Sequence, residues 1–81
     1  MISEKFLDFT VIFQPAEEGG YHVIVPALPG CFTQGETLEE ARAMAMDAIE
    51  AFVASLRKDG EDIPSETGEF IGRIRIKAIP A

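Results

Sequence analysis

Two prolines three residues apart, followed by a glycine, decide more about this chain than any other feature. They sit in Pro26-Ala27-Leu28-Pro29-Gly30-Cys31-Phe32-Thr33-Gln34-Gly35-Glu36-Thr37-Leu38-Glu39-Glu40-Ala41. Pro26 and Pro29 fix φ and remove backbone donors, and Gly30 permits a sharp reversal. Gly35 marks a second bend. Thr37 reads as a helix N-cap, and Glu40, three residues on, is placed to complete a capping box. Glu36, Glu39 and Glu40 lie where a helix dipole favours negative charge. The stretch therefore separates β structure before it from helix after it.

Before the turn, Lys5 to Gln14 alternates. Leu7, Phe9, Val11 and Phe13 fall on one side; Phe6, Asp8, Thr10, Ile12 and Gln14 fall on the other. This predicts a strand with its odd face on the core. Pro15 to Gly20 is a loop by its Pro, Gly and charge content. Tyr21 to Val25 is a second strand, paired antiparallel with the first. Cys31 to Gln34 is a short third strand, returned by the Pro26–Gly30 turn.

After the turn, Leu38 to Lys58 reads as a helix. Leu38, Ala41, Ala45, Ala48, Ile49, Phe52 and Leu56 form one stripe at helical spacing. Arg57 and Lys58 complement the dipole at the far end, and Gly60 is a stop. Residues 61–69 are a loop. Phe70, Gly72, Ile74 and Ile76 then alternate with Arg73, Arg75 and Lys77, which predicts a fourth strand with one apolar and one basic face. The expectation is a single domain over 1–81 of class α+β. Its order is βββαβ: a small mixed sheet with one long helix on one face, the last strand parallel to a strand of the hairpin.

Charge narrows the function. The 81 residues carry a net charge of −7. Residues 36–69 hold ten acids and three bases, while residues 70–81 hold three bases and no acid. An acidic helix and loop repel phosphate backbones and suit a basic partner. Arg73, Arg75 and Lys77 are a small footprint for nucleic acid and read better as a solvated face or a guarded edge. No apolar run approaches a membrane span, and the N-terminus has no signal-peptide pattern, so the expected location is the cytoplasm.

Little in the sequence points to catalysis. Cys31 and His22 are the lone cysteine and lone histidine. They are read as a packed thiol and a strand-face imidazole rather than a nucleophile and base. Asp8 with Asp47 and Glu50 could form a divalent-ion site for nuclease chemistry, but one strand acid falls short of the converging carboxylates such chemistry needs. Gly19-Gly20 lacks the following lysine of a phosphate loop. No catalytic residue, cofactor or metal ligand is expected.

The stretch from Glu18 to Ala41 closely resembles the signature of HicB-like antitoxins. The pieces are a Gly-Gly-Tyr strand (Gly19, Gly20, Tyr21), a Pro-x-Leu-Pro-Gly-Cys turn (Pro26 to Cys31), a Thr-x-Gly bend (Thr33 to Gly35) and an acidic helix start ending Glu40-Ala41. With the helix and Asp62-Ile63-Pro64, the resemblance covers about Phe9 to Pro64. It implies a partial ribonuclease-H-like fold and no catalytic activity. It implies structural roles for Gly20, Pro26, Pro29, Gly30, Gly35, Thr37 and Glu40.

It also implies binding to a HicA-type toxin, a small basic ribonuclease, and self-association as a dimer or tetramer. Glu39, Asp47 and Glu50 are the candidate partner-binding charges. Family members often carry Asp at the position of Ala27, and many add a C-terminal DNA-binding domain. With the chain ending at Ala81, a short form without that domain is expected. The alternative is a stand-alone homo-oligomeric module with no toxin partner and another binding or regulatory role.

Overall fold

A computed structural model describes residues 6–64 and 71–78. Its elements run β1 (Ile12–Pro15), β2 (Tyr21–Ile24), β3 (Phe32–Gly35) and α1 (Leu38–Lys58). The three strands form an antiparallel sheet in the order β1-β2-β3. The class is α+β, as the residue pattern predicts, and α1 occupies the predicted span.

The register explains why β1 is shorter than the alternation from Lys5 implies. Ile12 pairs with Ile24, and β2 stops there because Pro26 follows in a turn. The ladder between β1 and β2 therefore begins at Ile12. Phe9 and Val11 still pack on the core as the odd face predicts. β3 likewise runs one residue later than expected, with Gly35 opposite Tyr21.

Each connection has an identifiable cause. Glu17-Glu18-Gly19 makes a three-residue hairpin loop: the Gly19 N–H donates to the Ala16 carbonyl (3.1 Å) and the Ala16 N–H to the Gly20 carbonyl (3.0 Å). Gly19 takes a φ of 101°, the left-handed position such loops require. Between β2 and β3 lie two successive β-turns. The Leu28 N–H donates to Val25 (3.0 Å), and the Cys31 N–H donates to Leu28 (2.9 Å). Pro26 and Pro29 each hold the second position of a turn, where their φ is already set and no donor is needed. Gly30 supplies the positive φ, 91°, that the third position of a type II turn demands.

α1 lies across the sheet, packed mainly on β3 and secondarily on β2. Two small clusters make the core. Val25, Leu28, Cys31 and Val53 form one; Val23, Ala41 and Ala45 form the other. Ala48, Ile49, Phe52 and Leu56 of the predicted stripe are half-buried against the first cluster. Leu38, at the first turn, is exposed instead. Val53 is buried although it is absent from the predicted stripe; its spacing of four from Ile49 is the signal that marks it.

The predicted fourth strand does not join the sheet. Residues 71–78 belong to no strand and are all exposed, and Phe70 lies outside the described residues. Among the described residues the sheet is therefore wholly antiparallel rather than mixed. A strand is held by its neighbour's ladder and by a buried face, and residues 71–78 have neither here.

Candidate protein-interaction surface

The helix start is tied to the sheet by Gly35. A Cβ built there would stand 2.5 Å from the Ala41 nitrogen and 2.6 Å from its Cα. Only a residue without a side chain lets β3 and the first turn of α1 approach so closely. Gly20, one residue before Gly35's partner Tyr21, has a φ of 76°, and a Cβ there would meet the Gly35 carbonyl oxygen at 2.7 Å. The two glycines thus form one close-packed corner.

Thr37 caps α1: its Oγ1 accepts from the Glu40 N–H at 3.0 Å. Glu40 reaches back as predicted, but its Oε1 accepts from the Glu36 N–H at 3.2 Å, one residue before the cap. At the far end the Gly60 N–H donates to Arg57 and the Glu61 N–H donates to Leu56. That is a Schellman stop, made possible by a φ of 71° at Gly60.

With both ends fixed, α1 presents a defined outer face. Glu39, Asp47 and Glu50 are all exposed. At about 100° per residue they fall within an arc of about 80° on the helix. They form an acidic stripe rather than scattered charges. Arg42 flanks it, three residues after Glu39 and lining the same groove as Glu50, and Arg57 follows at the helix end.

The sheet face turned away from α1 is open. Register places Ile12, Ile24 and Phe32 in one cross-strand row and Gln14, His22 and Gln34 in the next. Phe32 is 73% exposed. His22 Nε2 lies 3.8 Å from Glu18 Oε1 at the surface. Ion pairs so placed contribute little to stability.

Cys31 is in the core, on the other side of the sheet from His22, so the two are not brought together. Burial pushes the Cys31 thiol above its ordinary pKa by desolvation. It is a packed apolar group and a poor nucleophile. Asp8 is exposed. Among the described residues, no group of three or more His, Cys, Asp and Glu side chains converges as a metal site. None of the described helices is long and apolar enough to cross a membrane.

Beside β1 runs a groove whose floor is Leu7, Phe9, Val11, Phe13, Met46 and Ile49. Asp8, Arg42 and Glu50 line it too. No residue pattern announces it, because it arises from how α1 leans: over β3 and β2, away from β1.

Comparison with known proteins places this geometry. The family model described as a HicB-like antitoxin of bacterial toxin-antitoxin systems matches residues 9–74. A UPF0150 protein of Thermoplasma acidophilum is 49% identical over 65 residues, covering 80% of this chain and 94% of that one. A UPF0150 protein of Synechocystis is 36% identical over 63 residues, covering 78% and 80%. Antitoxin HicB 1 of Photorhabdus laumondii is 43% identical over 60 residues, which are 74% of this chain but 39% of that longer protein.

Proposed function

The chain belongs to the HicB-like antitoxin family of bacterial toxin–antitoxin systems, and from that premise we propose that it binds and neutralises a small basic HicA-type toxin that cleaves mRNA. Its role is recognition rather than catalysis, carried out by residues 1–81 as one domain in the cytoplasm. The βββα body serves as the shared part of a partial ribonuclease-H-like fold.

The observation that carries this reading is the acidic stripe of α1. Glu39, Asp47 and Glu50 are exposed on one face of a helix held by a cap, a Schellman stop and a glycine contact. A rigid anionic face of this kind steers a cationic partner and sets its orientation. Leu38, exposed at the start of the same helix, supplies a desolvated contact of the kind from which affinity comes.

The same chain also self-associates in this proposal, as a dimer or tetramer. The open row of Ile12, Ile24 and Phe32 favours that, since apolar side chains clustered on a small domain gain by being covered.

The test is co-expression with a small basic toxin of the HicA type from the same genome. Co-purification and restored growth are expected. A toxin that stays free and lethal beside a folded chain would overturn the proposal.

A further inference from the structure

We propose that the groove beside β1 receives residues 71–77 of a second copy of this chain, which add a strand to the β1 edge and join two copies by exchange of their C-terminal segments. Three observations meet here.

The first is the gap itself. β1 lies at an edge of the sheet, and α1 packs on β3 and β2 instead of over it. An edge strand leaves outward-pointing N–H and C=O groups without a ladder neighbour. The groove alongside has an apolar floor and leaves Met46 64% exposed. It continues along the helix past Ile49 to Val53 and Arg57.

The second is the segment. Ile74 is 91% exposed and Ile76 81% exposed. They alternate with Arg73, Arg75 and Lys77, so an extended backbone turns both isoleucines to one side and all three cations to the other. This is the pattern of a strand with one buried face. Laid beside β1, the isoleucines cover the apolar floor, and the cations turn away from α1 towards solvent.

The third observation makes the donor a second copy. The chain measures 61 Å along its longest axis, with a radius of gyration of 16.2 Å. A compact chain of this length has a radius of about 12 Å. The segment stands away from its own groove, where it is free to reach another's. Two such exchanges are related by a two-fold axis, because each copy offers one segment and one groove, and the contact closes on itself. This adds to the self-association proposed above a second surface, distinct from the open row of Ile12, Ile24 and Phe32, and it does not depend on the toxin. A chain that ignores the toxin can still dimerise by this route.

The experiment uses the full chain. Sedimentation velocity is expected to give twice the chain mass, and Ile74→Arg with Ile76→Arg is expected to weaken the dimer at least tenfold while far-UV circular dichroism keeps the α1 signal. Chains carrying Met46→Cys, mixed with differently tagged chains carrying Ile74→Cys, are expected to form a disulfide between the two tags. A monomer at all concentrations would overturn the proposal. So would a dimer indifferent to the arginines, or a disulfide that closes within one chain when both cysteines are placed in it.

Discussion

Gly35 and Ala41 touch through their backbones: a Cβ on Gly35 would lie 2.5 Å from the Ala41 nitrogen. That contact fixes how the helix leaves the sheet, and with it the direction in which the exposed acids Glu39, Asp47 and Glu50 face. Its neighbours there are backbone atoms, which cannot swing aside as a side chain can.

Gly35→Ala is therefore expected to destabilise the fold by about 3 kcal/mol, the upper part of the usual cost of overpacking. Its φ is not in the left-handed region, so the loss is steric. Urea denaturation checks it.

Thr37→Ala removes the acceptor for the Glu40 N–H and is expected to cost about 1 kcal/mol. Thr37→Ser is expected to retain most of that stability. Thermal unfolding of the pair against the wild type measures both.

Leu28 is fully buried between the two β-turns and packs with Val25, Cys31 and Val53. Leu28→Ala is expected to cost about 2–5 kcal/mol by loss of burial and a residual cavity. A domain with so few buried side chains has little stability to spare, so a substantial unfolded fraction at 37 °C is the expected readout by near-UV circular dichroism.

Cys31 gives a pH signature. Desolvation raises its pKa in the folded state, so the folded chain keeps this proton when the unfolded chain has lost it. Below the unfolded thiol's pKa the two states bind the proton equally and stability is unaffected. As pH rises above it, stability falls, until the folded thiol ionises as well. The wild type is expected to lose stability as pH rises above about 8.5 relative to Cys31→Ala, whose own lower baseline reflects lost packing. Urea midpoints of both proteins on either side of that pH check the difference.

Much of this molecule can be read from its residues, and the parts that cannot share a cause. α1 is legible from Thr37 to Gly60 because caps, stripe and stop are local. The two-proline turn is legible for the same reason: Pro26, Pro29 and Gly30 dictate their own dihedrals. What escapes is set by partners distant in sequence. β1 reads as a strand from Lys5, yet pairing begins at Ile12 because β2 ends at Ile24. Ile74 and Ile76 read as a strand, yet a strand also needs an edge to join. The candidate charges Glu39, Asp47 and Glu50 could be named from the sequence as acids on a helix. The groove between β1 and α1 depends on the lean of the helix, which no single stretch encodes.

The central claim is that the acidic face of α1 recognises a basic toxin, and inhibition of mRNA cleavage tests it most directly. The wild type and a Glu39→Lys, Asp47→Lys, Glu50→Lys variant would be titrated against the toxin at low and high salt. The wild type is expected to abolish cleavage near equimolar ratio. The variant, equally folded, is expected to need at least about tenfold more, with the difference shrinking as salt rises. Equal inhibition by both chains, or no inhibition by the wild type, would contradict the account.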